Sequence, residues 1–333
     1  MTLRFGLRVF VGVAILMFAS SNASAYCRKR AIPLAVRKKY ASVVIKAFTN
    51  GVCEDDQVEE FKTYPWIYWP SACTSFSVST SLPQTLSAEA ASSLTALAFS
   101  QWSGSRCDEV VGDARPSIDV RDLGTASCST VGYDATGGPN QNLIVYQANW
   151  DKVKPNNLVS DADTLGLTTV SYDDSGRILD ADMRINMQIN PATADPVASE
   201  KWDLREIVTH EAGHFLGFAH SGEESAVMYY SAVVGETKKR YLADDDRVLV
   251  CTTYRPGGTR AIDPAQNVAA LPCNPSPAGG FTEQCQAAPS KCSATPAAQS
   301  SALTPWLVLG SFVGVAQMRR RRCRTSTASR QRS

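Results

Sequence analysis

Histidine is scarce in this chain: there are three in 333 residues, and His210, His214 and His220 all fall within eleven consecutive positions. A dominant charge of one sign is also missing, with 33 lysines and arginines against 32 aspartates and glutamates. Arg4 and Arg8 lie in the first 25 residues and seven arginines lie from Arg319 onward. Without those nine, 24 basic residues face 32 acidic ones, so the middle of the chain carries about −8. That excludes the basic footprint of a nucleic-acid binder. No two cysteines stand in CxxC spacing, which argues against a zinc knuckle. No internal repeat divides the sequence. Long apolar runs are lacking as well, and the two that come nearest lie at the ends.

The first 25 residues, MTLRFGLRVFVGVAILMFASSNASA, combine a basic start, an apolar stretch from about Val9 to Ala19, and Ala23 and Ala25 in A-x-A spacing. That is the pattern of a signal peptide cleaved before Tyr26, and it implies export through the Sec pathway. At the other end, no charge occurs between Lys291 and Arg319, and ALTPWLVLGSFVGVAQM (302–318) runs into Arg319, Arg320, Arg321 and Arg322. This is a short span with its arginines on the cytoplasmic side. The arrangement resembles the C-terminal sorting tags of some Gram-negative surface proteins; a plain single-span anchor is the alternative. Either way the chain is expected at the cell surface, in the periplasm or outside the cell; a retained C-terminal segment would hold it to a membrane, whereas sorting tags of this kind are sometimes cut on export.

What lies between the ends is 44% apolar over the whole chain, enough for one main domain with attachments. The ten cysteines suit an oxidising compartment. Cys323 falls beyond the span and Cys292 opens the linker, which leaves four disulfides among Cys27, Cys53, Cys73, Cys107, Cys128, Cys251, Cys273 and Cys285, of unreadable connectivity. The expected divisions are a signal peptide (1–25), an N-terminal propeptide or disulfide-tied extension (26–64), a catalytic domain (65–256), a Pro/Ala/Ser-rich linker (257–301), and the span with its arginine tail (302–333).

Within the central domain, WIYW and SFSVS read as short strands, and SAEAASSLTALAFSQW (87–102) reads as a helix capped by Ser87. Strands follow at Ile118 and Val120, at NLIVYQ and at LTTVSY; DSGRILDADMRIN then suggests a turn and an edge strand. The result is an α+β arrangement, a mixed sheet backed by helices. In the next helix, Asp203 and Glu206 fit a capping box, and Leu204, Ile207, Val208, Ala212, Phe215 and Leu216 recur on one face.

At ~100° per residue, His210 and His214 lie about 40° apart, one turn along, and well away from that apolar stripe. Two imidazoles so stacked can bind one zinc ion, but a catalytic site takes a third protein ligand from beyond the helix. Gly217 accepts the left-handed conformation that ends a helix and turns the chain, and His220 comes three residues later. Glu211 follows His210 directly. Its carboxylate emerges beside the metal without the register to join as a ligand, where it can act on a zinc-bound water.

HEAGHFLGFAHS resembles the zinc signature of the metzincin clan and, in Gly213 and Ser221, that of matrixin-type metalloproteases. The likeness runs over roughly Pro65 to Arg255. AVMYY resembles the family's Met-turn, with Met228 beneath the zinc; LADDDRVLVCTTY resembles its last helix, with Asp245 and Asp246 on its paired aspartates; AFSQW resembles its first helix; and LDADMRIN falls at its antiparallel edge strand. The resemblance implies a metzincin fold: a twisted mixed sheet, a backing helix, an active-site helix and a small C-terminal subdomain after His220. It implies a monomeric zinc endopeptidase in which a zinc-activated water hydrolyses the peptide bond and Glu211 serves as general base and acid. The substrate would bind as an extended strand along residues Leu179 to Asn186, with a pocket wall just after Met228. Tyr230 becomes a candidate transition-state donor or pocket wall, and Asp161, Asp163, Asp180 and Asp182 become candidates for calcium, which related enzymes bind for stability.

Two departures stand out. No PRCGxPD-like string lies between Tyr26 and Tyr64, and Leu249 replaces the glycine usual in the last helix. Rival readings of the same residues are a surface-anchored binding or adhesion module with a structural zinc, and a metallohydrolase of non-peptide bonds.

Overall fold

The structure is a computed structural model that describes residues 26–40, 42–43, 48–49, 51–107, 114–150 and 164–280. The expected signal peptide, the span at 302–318, Asp161, Asp163, Cys285, Cys292 and Cys323 lie outside them. No helix among the described residues is long and apolar enough to cross a membrane.

The N-terminal segment holds a short helix α1 (Leu34–Lys39) and the two-residue strands β1 (Phe48–Thr49) and β2 (Val52–Cys53). The main sheet then begins. Strand β3 (Cys73–Ser79) is buried along its whole length, as befits a parallel strand covered on both faces. Helix α2 (Ala88–Ser103) follows. Ser87 caps it by accepting a hydrogen bond from the Ala90 N–H, and Ala91, Thr95, Ala98, Phe99 and Trp102 form its buried face at helical spacing. Strands β4 (Asp119–Ala126), β5 (Leu143–Gln147), β6 (Gly166–Tyr172) and β7 (Ile178–Asn186) complete a five-stranded sheet of order β4-β3-β5-β7-β6. All neighbours are parallel except β6, which runs antiparallel to β7 at the sheet's end.

This corrects the expected edge strand. LDADMRIN is β7, internal and almost wholly buried, and the antiparallel edge is β6, LTTVSY with the glycine before it. The charges in β7 suggest a solvent-facing strand, but Asp180, Asp182 and Arg184 are all buried. Asp182 accepts hydrogen bonds from the backbone N–H groups of Leu143 and Gly132, at 2.8 and 2.5 Å. WIYW forms no strand either; Trp66 and Tyr68 make only single bridges, to Arg30 and Arg177.

Helix α3 (Leu204–Phe215) packs its apolar face on this sheet and on α2. Phe99 stacks on Phe76 and meets Phe215 edge-on, and the Trp102 indole N–H donates to the Thr209 carbonyl at 2.9 Å. Each such buried aromatic contributes about 1.5–3 kcal/mol, so the face of α3 opposite the histidines is firmly seated. Asp203 caps α3 through the Arg205 N–H. Glu206 does not complete the capping box; it accepts the Lys239 N–H instead, at 2.6 Å.

After α3 come α4 (Asp244–Thr253) and a small sheet of β8 (Tyr254–Arg255), β9 (Thr259–Ala261) and β10 (Asn267–Ala269). Leu249 is fully buried in the main core. Residues 257–280, expected as the start of a linker, include β9 and β10 and are tied to the main domain at a few points. Arg260 is fully buried and donates to the carbonyls of Trp69, Ser71 and Ser117, and Cys273 is bonded to Cys73. The other described pairs are Cys27–Cys53 and Cys107–Cys251, and Cys128 is also disulfide-bonded.

Candidate metal centre

Helix α3 ends where Gly217 takes φ +91°, a conformation that the L residues around it disfavour. The turn is also close-packed, because a Cβ at Gly217 would lie 3.1 Å from Ile67. The chain reverses there and brings His220 back over His210 and His214, with ring centroids 4.7 to 5.4 Å apart. Among the described residues these three form the one group of three or more potential ligands whose donor atoms lie within 4.8 Å of one another.

The outer nitrogens orient the rings. The His210 Nδ1 bonds to the Val227 carbonyl at 2.7 Å, and the His214 Nδ1 to the Phe218 carbonyl at 2.8 Å. A carbonyl only accepts, so both Nδ1 atoms carry the proton and both Nε2 atoms present lone pairs. Those two Nε2 atoms face each other at 3.1 Å. Two lone pairs at that distance repel unless a cation lies between them, and two nitrogens ~2.0 Å from one tetrahedral ion stand about 3.3 Å apart. The donor set therefore fits zinc. Burial keeps the rings neutral: His210 is pushed down to about 4, His220 to about 2, and His214 well below the ordinary imidazole value.

Glu211 is 5% exposed and lies along a cleft of about 920 Å³ that all three histidines also line. Burial raises its carboxyl to about 7, opposed by a hydrogen bond from the Thr168 hydroxyl at 2.6 Å. Thr168 belongs to the edge strand β6. Gly166 sits beside it, and a Cβ there would come within 2.6 Å of Glu211 Oε1. Both residues escaped the sequence reading, since nothing local ties LTTVSY to a helix forty residues on.

Met228 is fully buried below α3. Its sulfur occupies the space that a Cβ on Gly213 would take, 2.2 Å away, which explains a glycine inside the helix. Asp246 holds this turn from α4. Its carboxylate accepts the N–H groups of Val227, Met228 and Ala243, at 2.7, 3.1 and 2.9 Å. Asp245 accepts the Ser221 hydroxyl at 2.6 Å. The paired aspartates are thus braces under the metal loop. Tyr230 lies on the cleft wall, 55% exposed, with its ring 4.6 Å from that of Tyr229.

Asp180 and Asp182 come together on β7. Burial raises their carboxyls, Asp180 to about 8 and Asp182 to about 6, and no third carboxylate joins them among the described residues. The substrate rim expected along Leu179 to Asn186 is also corrected, because β7 is internal and β6 borders the cleft.

Residues 147–255 match the Matrixin family. Two similar curated proteins are Metalloendoproteinase 1-MMP of Arabidopsis thaliana, 46% identical over 61 residues, and Metalloendoproteinase 1 of Glycine max, 44% identical over 54 residues. The stretches cover 18% and 16% of this chain, and 16% and 17% of the relatives' own lengths. The family match carries the metzincin fold, in agreement with the mixed α+β sheet described above. Over this region the chain is thus similar to matrixins and to the two metalloendoproteinases.

Proposed function

We propose that this chain is an exported zinc endopeptidase whose ion is held by the Nε2 atoms of His210, His214 and His220. A zinc ion bound there supplies a Lewis acid that polarises the scissile carbonyl and acidifies a water molecule beside it. Glu211 takes the proton from that water and later passes it to the leaving amine. In the metal-free site burial raises the Glu211 carboxyl, and the hydrogen bond from Thr168 opposes that shift. Thr168 holds the Glu211 carboxylate in place, and Gly166 leaves room for it.

The substrate lies as an extended strand on the outer edge of β6, which no other strand covers among the described residues. Tyr229 and Tyr230 wall the pocket beyond the cut bond. The disulfides suit an oxidising compartment, and the signal peptide and C-terminal span complete an exported, membrane-held enzyme.

The observation that carries this reading is the convergence of three neutral imidazoles and one buried carboxylate on a single cleft beside β6, the edge strand of the sheet among the described residues. Its test is Glu211→Ala. The variant is expected to keep its zinc while peptide cleavage drops by roughly 10²–10⁴-fold. Cleavage at the wild-type rate would overturn the role of Glu211. Clearing in a zymogram that survives chelation would overturn the metal reading.

A further inference from the structure

The outer nitrogens of His210 and His214 are each satisfied by a backbone carbonyl, whereas the His220 Nδ1 is buried and has no hydrogen-bond partner. A carboxylate waits beside it: Glu54 Oε2 stands 3.5 Å away, and Glu54 itself is largely buried. Glu54 comes from the N-terminal segment, 166 positions earlier in the chain.

That segment is built to present it. Glu54, Asp55 and Asp56 form one tight turn directly after Cys53, which is bonded to Cys27. Asp55 accepts the Arg30 N–H and pairs with Arg37, and Asp56 pairs with the Arg30 guanidinium. Two of the three acids thus fasten the turn within its own segment, and Glu54 points at the metal loop. The segment also lies directly along that loop. Lys29 N–H donates to the Gly217 carbonyl, and Ala219 N–H donates to the Cys27 carbonyl.

Resting on the zinc reading above, we infer that Glu54 is the outer partner of the third zinc ligand. It accepts the His220 Nδ1–H, which fixes the tautomer that leaves Nε2 free for the metal and makes the ring a stronger donor. Glu54 is a positioning residue and does not touch substrate. The corollary concerns residues 26–64: they complete the metal centre and stay in the active protein, and are not a propeptide to be discarded. The Cys27–Cys53 bond lies wholly inside the segment, so a cut near residue 64 would release it. Retention therefore depends on that peptide bond remaining whole.

The experiment measures zinc affinity of the full chain by competition with a chromogenic chelator, for wild type, Glu54→Ala and Lys29→Met. Lys29 forms an ion pair with Glu54, and its loss removes the bridge while keeping the carboxylate. Glu54→Ala is expected to weaken zinc binding 10–100-fold, whereas any loss of folding stability from breaking the ion pair is shared with Lys29→Met. Lys29→Met is expected to bind zinc within about twofold of wild type. In the zinc-loaded wild type, the His220 Nδ1 proton should give a strongly downfield NMR resonance that Glu54→Ala removes.

Equal zinc affinity of Glu54→Ala and wild type overturns the inference and leaves the metalloprotease reading standing. Equal weakening by both substitutions also overturns it, since the effect would then come from the fold of the segment. A wild-type chain with no zinc affinity overturns both readings. Active mature protein whose N-terminus lies beyond residue 54, found by mass spectrometry, overturns the corollary and the role of Glu54 together.

Discussion

Burial acts on the ionisable side chains of this protein in opposite directions. It drives the three imidazoles toward neutrality and raises the carboxyls of Glu211, Asp180 and Asp182. For the aspartate pair the folded-state values, about 8 and about 6, lie above the ordinary aspartate value of about 3.9. The folded protein therefore binds more protons than the unfolded chain across that interval. The pair's contribution to stability is complete below about pH 4 and is lost as pH rises through 6 to 8. Asp180→Asn mimics the protonated carboxyl. It should leave the melting temperature at pH 5 nearly unchanged and raise it at pH 8.5, by about 2–4 °C for each kcal/mol recovered. Calorimetric melts at the two pH values check this. Equal destabilisation at both would contradict it, and a calcium-dependent rise in the wild-type melting temperature that the substitution abolishes would show the pair holding a cation.

Among the elements, the metal helix was the most legible. Its apolar period, its capping aspartate and the glycine that ends it are all local signals, and the two histidines a turn apart are fixed by helix geometry alone. The edge strand was not legible in the same way. Alternating charge in LDADMRIN suggests a strand with one wet face, but Asp182 is satisfied by Leu143, 39 positions earlier, and no local pattern reports such a partner. The aspartates of α4 were ambiguous in sequence for the same reason, since a helix start favours acids whatever else they hold. The structure resolves them as braces, and the brace can be tested. Asp246→Asn turns one carboxylate oxygen into an amide donor: with the amide oxygen kept on the Val227 and Ala243 N–H groups, the NH2 faces the Met228 N–H. It should cost about 2–3 kcal/mol and weaken zinc roughly tenfold by shifting the Val227 carbonyl that orients His210. Denaturant melts and chelator competition measure both. A loss of only about 1 kcal/mol, typical of a helix cap, with unchanged zinc affinity would reduce Asp246 to that simpler role.

Across the whole molecule, long-range closure positions the centre. Cys73–Cys273 and Cys107–Cys251 join positions 200 and 144 residues apart, so the segment after α4 is bound back to the first strand of the main sheet. A composition rich in Pro, Ala, Gly and Ser suggested a linker from residue 257, but composition does not register one fully buried Arg260 or a distant cysteine partner. The N-terminal segment was undecided in sequence because Glu54 and His220 meet only in three dimensions. The structure brings His210, His214, His220 and Glu211 to one cleft, and everything proposed about chemistry depends on that set. The most direct measurement is metal analysis of the purified chain alongside a peptide-cleavage assay, before chelation, after it, and after zinc is restored. The account predicts one zinc per chain, loss of both metal and cleavage on chelation, recovery of both with zinc, and neither in a His214→Ala variant. A folded chain that carries no zinc, or cleavage that persists once the metal is gone, would contradict it.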